Sequence, residues 1–591
     1  MELIYLYIED DGKNIKKCEF NFSPEYRFHY DKNKEYLHGE RLDNYIVDFW
    51  NAPNVINISA IIGKNGSGKS NLLEYIVRFY SSSFGLNDQQ RKNIIHIYKK
   101  NNKLYTNQPD INGDFELNEC EYIQYPLNDS NGRITNRIIY YSPHYEKDIL
   151  RNMGRGLKAE DISNGGFLRE YGYDRKFRKS ENQVDIFSDI ERLMLDDTLK
   201  QLELFRFSKA EYFFDLNLPK KLIISFTLRA NMIERDNLVY KELFNSKPLH
   251  ELTFIEHIQN RLLNYIFQDE TLLSKVNTDK STSFEKLVAQ TSAKRFYPVL
   301  LNMFEQGQII FQNFPGQMEM ENDSPLIFSI ERDNLSFDFI TGLYEYYFKE
   351  EVVFATPKAL EIFPPRFYSD FIFYWQGVSA GELEYFNLLS RIYACLQDVI
   401  IDHGAKQKKQ RKIDGIGNIM LLLDEPENSF HPEWQRLFLN NLIVFLKKAL
   451  PSYKFQVILA SHSPIFISDL PKDNIIFLDK EKSGNCKVID SISQDNTFGA
   501  NIHNLYRNSF FLNGLPMGEF AKEKINNLFS ELNNGKVRAS TLKEIQMIGE
   551  PLLKDQLMKL YNSLLPNDIN DRIAQLESEL KTLRQELHDK D

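Results

Sequence analysis

Cysteine is scarce in this chain. Its 591 residues hold only Cys18, Cys120, Cys395 and Cys486, with no C-x-x-C pair. That scarcity excludes a disulfide framework or a zinc site and makes reduced thiols the expectation. Long apolar runs are missing too. No stretch approaches the ~18 apolar residues of a membrane span. The opening, Met1-Glu2-Leu3-Ile4-Tyr5-Leu6-Tyr7-Ile8, lacks a basic start, so it reads as a strand and not a signal peptide. A cytoplasmic protein without membrane contact is expected. Basic charge is in deficit: the net charge is −11. That argues against a surface coated for nucleic acid but leaves room for a local basic groove.

Core material is abundant. With 44 Phe, 31 Tyr and 42% hydrophobic residues, wholesale disorder is excluded, and the length calls for several packed lobes. The stretch Gly63-Lys64-Asn65-Gly66-Ser67-Gly68-Lys69-Ser70 fits G-x-x-x-x-G-K-[ST]. In such a loop backbone N–H groups surround phosphates and the Lys reaches the terminal ones. An apolar strand pattern (55–62) precedes it, and a helical pattern follows from Asn71, which is the context the motif requires. Far downstream, Ile419-Met420-Leu421-Leu422-Leu423-Asp424-Glu425-Pro426 is an apolar run ending in carboxylates. It suits a buried parallel strand that delivers both to its C-terminal edge.

Together the two stretches imply an α/β nucleoside triphosphatase. ATP is the expected ligand, bound through Gly63, Lys64, Asn65, Gly66, Ser67, Gly68, Lys69, Ser70 and Asn71. Ser70 and Asp424 are placed to hold Mg²⁺, a cation that takes hard oxygen ligands and keeps several waters. Glu425 is placed to polarise an attacking water. His462 follows another buried strand (455–460) and lies between two serines. It reads either as a satisfied histidine capping that strand or as a contact to the terminal phosphate. Ser379-Ala380-Gly381-Glu382 forms a small-residue turn opening a helix, an arrangement that offers N–H groups and a hydroxyl to an anion. Since the phosphate loop already fills one phosphate site per chain, this second cradle suggests ATP held between two chains.

The domain reading is a first ATPase lobe at 1–150, a mainly helical insertion at 151–365, a second lobe at 366–510 and a helical tail at 511–591. Within the insertion, 184–205 and 254–267 read as amphipathic segments and 222–228 as a strand. No sustained heptad array marks a long coiled-coil arm. The basic stretch 405–412 reads as a solvated loop. The tail closes with Ile569, Ile573, Leu576, Leu580, Leu583 and Leu587, a short coiled-coil seam.

In this order of motifs the chain resembles the ABC-type ATPases of the RecF/SMC class. The resemblance covers about 1–150 and 366–470. It implies that Ser379, Gly381 and Glu382 form the signature, that His462 is the switch histidine and that ATP is sandwiched in a homodimer. Ala380 stands where members carry Ser or Gly, and Glu382 where transporters carry Gln. No Q-loop glutamine is found; Ser142, in Ile138-Ile139-Tyr140-Tyr141-Ser142-Pro143, occupies the expected place. Asp424-Glu425-Pro426-Glu427 with His431-Pro432-Glu433-Trp434-Gln435 resembles a branch of bacterial antiviral systems, the PtuA-like ATPases of Septu and retron defence. That resemblance implies a slow ATPase acting as a regulatory subunit beside an HNH nuclease. A reverse transcriptase with its RNA–DNA product is a further implied partner, and the terminal seam suits assembly beyond a dimer.

Three rivals are weighed. A transporter ATPase is disfavoured by the large insertion and by Glu382. An ATPase–nuclease of the overcoming-lysogenisation type needs a toprim domain, yet the only Asp-x-Asp in the tail is Asp589-Lys590-Asp591. A RecF-like recombination ATPase would share the head and differs only in the branch motifs.

Overall fold

The computed structural model describes residues 1–43, 45–81, 94–108, 112–113, 121–122, 136–144, 159–167, 189–207, 218–227, 259, 308–309, 325–334, 371–397, 417–490, 495–502, 505, 517–565, 572–574, 576–578 and 580. Outside them lie Cys120, the basic stretch 405–412, Ile569, Leu583, Leu587, the Asp589–Asp591 end and nearly all of segment 254–267. Much of the insertion at 151–365 lies outside as well. The chain divides into two compact units, Met1–Phe511 and Leu512–Asp591.

At the centre of the first unit is a seven-stranded sheet. Its strands are β5 (Val55–Gly63), β10 (Asn136–Tyr141), β11 (Ala159–Asp161), β16 (Asn418–Asp424), β17 (Lys454–Ser461), β18 (Ile475–Lys480) and β19 (Cys486–Ile489). They run in the order β11-β10-β16-β17-β5-β18-β19. Every neighbouring pair is parallel except β18–β19. Strands from both ends of the sequence alternate in it, so stretches 1–150 and 366–510 share one sheet. Parallel neighbours need crossovers, which frees sheet order from chain order.

The middle strands are apolar because both faces are covered. Leu421, Leu422 and Leu423 of β16 are fully buried, each worth roughly 1.5–3 kcal/mol of burial. The polar exceptions have partners. On β5, Asn57 and Ser59 both donate to the carbonyl O of Phe22 (2.7 and 2.6 Å). On β17, the Gln456 amide accepts from Leu3 N and donates to Leu3 O (2.7 and 2.8 Å). That clamp joins β17 to β1 (Glu2–Asp10), which belongs to a second sheet completed by β2 (Lys16–Asn21), β6 (Ile94–Lys100), β7 (Lys103–Thr106) and β9 (Glu121–Tyr122). Helix α1 (Lys69–Ser81) buries Leu72, Leu73, Ile76 and Val77 in one core with residues of both sheets.

Two smaller sheets flank this core. One holds β3 (Tyr26–Asp31), β4 (Tyr36–Arg41) and β8 (Asn112–Gly113). The other is antiparallel, built from β12 (Lys221–Thr227), β13 (Gln308–Ile309), β14 (Pro325–Glu331) and β15 (Phe371–Trp375). Within the described part of 151–365 this sheet stands beside a single long helix, α2 (Asp189–Phe207). The β-branched and aromatic residues of Leu222–Phe226 pair with Leu326–Ile330, a long-range match that helical periodicity does not report.

Helix α3 (Ala380–Gln397) packs on α2, and α4 (Pro432–Ala449) starts from His431 with Pro432 at its first position. There the missing N–H costs nothing. Tyr385, Phe430, Phe438 and Phe466 of the short helix α5 (Pro464–Ile467) form an aromatic cluster, edge-to-face around Tyr385 and stacked between Phe438 and Phe466. The second unit has α6 (Glu519–Asn533), α7 (Thr541–Gln546) and α8 (Pro551–Ser563) around Leu528, Leu532, Ile545 and Leu557. Of the terminal seam, Ile573 is half-buried, while Leu576 and Leu580 are exposed. Among the described residues no helix is long and apolar enough to cross a membrane.

Candidate nucleotide site

The C-terminal ends of β10, β16, β17 and β5 lie side by side, the edge where open α/β sheets hold ligands. From β5 the chain turns through Lys64–Gly68 into α1. Gly66 and Gly68 have φ of +75° and +108°, values that side chains resist. Gly63 is a glycine for another reason: a Cβ there would lie 2.1 Å from the carbonyl O of Leu478 on β18. Lys64 pairs with Asp479 (3.0 Å), while Asn65 is exposed. Ser67 is buried, and its Oγ has no hydrogen-bond partner. Lys69, also buried, donates from Nζ to the carbonyls of Gly63 and Lys64 (3.2 and 3.4 Å). Asn71 donates to Asn14 Oδ1 (2.7 Å), and Asn14 in turn reaches Gly66 O (3.4 Å).

Ser70 and Asp424 meet. The Ser70 hydroxyl donates to Asp424 Oδ1 at 3.0 Å, although 354 positions separate them in sequence. Tyr140, from the neighbouring β10, donates to Asp424 Oδ2 at 3.0 Å. Burial, reinforced by the Asp424 charge, pushes the Tyr140 phenol far above its usual range, so it stays a donor.

Glu425 follows with φ +49°, a left-handed turn that costs a non-glycine residue on the order of 1 kcal/mol. Its N–H donates to Ala460 O (2.9 Å). Its Oε1 faces His462 Nε2 at 3.1 Å and its Oε2 faces His144 Nε2 at 3.2 Å. The hydrogen bond from His462 is the main reason its carboxyl is held down at about 2, against the opposing effect of burial; His144 and Lys69 add to the lowering. Beneath it, Glu427 Oε1 accepts from Ser461 Oγ and His462 N (2.5 and 2.9 Å), which fixes the backbone under His462. Burial raises the Glu427 carboxyl, and its Oε2 is unpartnered.

Ser379, Gly381 and Glu382 make no hydrogen bond to this cluster. They open α3, where Ser379 N and Oγ both donate to Glu382 Oε2 (2.8 Å each), and Glu382 N donates back to Ser379 Oγ (3.3 Å). This is a capping box. None of the hydrogen bonds or ion pairs of these residues reaches the phosphate loop. Ser142, the residue at the Q-loop place, is buried and accepts from His144 N (3.3 Å). Sequence reading passed over Tyr140, His144, Asn14 and Glu427. His144 lies two residues past Ser142, at the strand end read for a Q-loop glutamine, and its link to Glu425 comes from β10 pairing with β16.

Residues 203–468 match the family described as AAA domain, putative AbiEii toxin, Type IV TA system. The match indicates a P-loop ATPase-type domain. It covers just under half of the chain, taking in Ser379, Asp424, Glu425 and His462 but starting after the phosphate loop. No curated protein matches the chain.

Proposed function

We propose that the chain binds ATP with Mg²⁺ and hydrolyses it slowly, as an ABC-type ATPase working in pairs. The observation that carries this reading is the Ser70–Asp424 contact at 3.0 Å, which unites the phosphate loop with the acidic strand. A hydroxyl and a carboxylate side by side, both hard oxygens, fit a Mg²⁺ that keeps several waters and is otherwise held by phosphate. Bound there, the cation would neutralise charge on phosphate oxygens. Lys69 supplies a second positive charge, the N-terminus of α1 supplies N–H groups, and Glu425 orients water. Composite sites of this class assemble only when two heads close, so slow turnover is expected of isolated protein.

A fluorescent ATP analogue and a phosphate-release assay test the site. Lys69→Ala should abolish binding, whereas Glu425→Gln should bind normally and turn over no ATP. Equal affinity in wild type and Lys69→Ala would sink the assignment.

The wider role proposed is a regulatory subunit of a bacterial antiviral complex that controls a partner HNH nuclease. The motif resemblance supports it. The proposed docking surface is the tail. Its core residues Leu528, Leu532, Ile545 and Leu557 all precede residue 566, so deletion after Pro566 should leave that unit folded and nucleotide binding intact. Partner retention or assembly size on a sizing column should fall; if both persist, the tail is only structural.

A further inference from the structure

We propose that His144 is a positioning residue that fixes the Glu425 carboxylate for hydrolysis, a role distinct from that of His462; this rests on the ATPase reading above. The strand bearing Glu425, β16, lies between β10 and β17, and each neighbour contributes one imidazole. The His462 ring takes one carboxylate oxygen and the His144 ring the other (3.1 and 3.2 Å). An ionised carboxylate only accepts, so both rings present Nε2–H to it. Held on both oxygens, Glu425 cannot rotate freely.

His144 is itself built in. Its backbone N–H donates to Ser142 Oγ (3.3 Å), and the preceding Pro143 carbonyl accepts from Asn164 Nδ2 at 2.8 Å. Asn164 Oδ1 accepts from the fully buried Arg391 at 2.7 Å. Arg391 also donates to Ile162 O (3.0 Å) and bridges both oxygens of Asp197 (2.7 and 2.6 Å). A turn secured by a buried guanidinium does not place a histidine casually. A small misplacement of a reacting group costs up to about a hundredfold in rate, and such precision is what this support supplies. His462 leads from the strand beside β5 and the phosphate loop, so its loss should alter both affinity and turnover. His144 lies on the far side of β16 and should act through Glu425 alone.

The test compares His144→Ala, His144→Gln and His144→Ala/Glu425→Gln with wild type. His144→Ala should lower kcat about ten- to a hundredfold and leave both KM and the affinity for a fluorescent ATP analogue unchanged. His144→Gln, which can still donate, should recover part of the loss. In the Glu425→Gln background His144→Ala should leave the affinity for the ATP analogue unchanged. In nucleotide-free protein labelled with ring-¹³C histidine, the His144 signal, assigned by its loss in His144→Gln, should move when Glu425→Gln is introduced. A wild-type kcat in His144→Ala overturns the proposal, as does a loss of nucleotide affinity that accounts for the whole change in kcat/KM. An unmoved His144 signal overturns it as well. If wild type neither binds nor cleaves ATP, the ATPase reading falls, and the labelled signal still reports the His144–Glu425 contact on its own.

Discussion

Replacing Arg391 with methionine tests whether the buried network behind His144 holds the first unit together. Arg391 is fully buried, and Asp197 beside it is nearly so. Burial opposes the charge on the guanidinium, and the attraction of Asp197 raises its pKa in spite of that. The methionine side chain would fill much of the space but leave the Asp197 carboxylate, the Ile162 carbonyl and the Asn164 amide without their donor. Breaking a buried pair from one side costs about 3–5 kcal/mol, a large fraction of a total stability on the order of 5–15 kcal/mol. The unit spans Met1–Phe511. At roughly 2.1 cal/mol/K of unfolding entropy per residue, 1 kcal/mol shifts the melting temperature of so large a unit by only about 1 °C. Arg391→Met should therefore melt about 3–5 °C lower by scanning calorimetry, compared at one scan rate. Arg391→Met/Asp197→Leu removes both charges and should recover about half of the loss. Roughly 1 kcal/mol per group stays lost for Ile162 and Asn164. A single mutant within about 1 °C of wild type would refute the reasoning, and so would a double mutant that simply adds two losses.

Two further outcomes are expected. If ATP is sandwiched between chains, mixing Lys69→Ala chains with Ser379→Arg chains should restore one working site per heterodimer in a phosphate-release assay; no recovery from two folded mutants would count against the sandwich. Burial raises the Glu2 carboxyl from 4.5 to about 7, so between those values the native state keeps a proton that the unfolded chain has lost, and stability falls as pH rises through the window by up to about 3 kcal/mol. Glu2→Gln should abolish that slope, raising the melting temperature at pH 8 and leaving it unchanged at pH 4; an equal gain at both pH values would assign the effect to packing.

Local pattern was a good guide where chemistry and backbone coincide. The run Ile419–Leu423 reads as a strand buried on both faces, and β16 has a parallel neighbour on each side. The glycines at 66 and 68 announce the positive φ they adopt. Long-range pairing was not legible. Nothing in Lys221–Thr227 names Pro325–Glu331 as its partner, since strand pairing depends on cross-strand packing and not on the segment alone. The site's outer contacts were hidden for a similar reason. Tyr140 and His144 carry no motif, and they matter because β10 lies next to β16, a fact of sheet order. A search for glutamine at that strand end passes over a histidine that reaches the neighbouring carboxylate.

The N-terminus of α3 carries the tension between local structure and proposed role. Ser379 and Glu382 satisfy each other as a capping box, a feature worth about 0.5–2 kcal/mol to the helix. The carboxylate of Glu382 thus sits on the N–H and hydroxyl that a phosphate from a second chain would need. The positive end of a helix favours either anion, and a phosphate docked there would compete with Glu382 for the same donors. Gly381 answers to a different constraint. A Cβ there would meet the carbonyl O of Ser429 at 2.7 Å, in the segment just after Asp424-Glu425. Its smallness lets α3 rest against the loop leaving the acidic strand, a requirement of the single chain whether or not a second one ever docks.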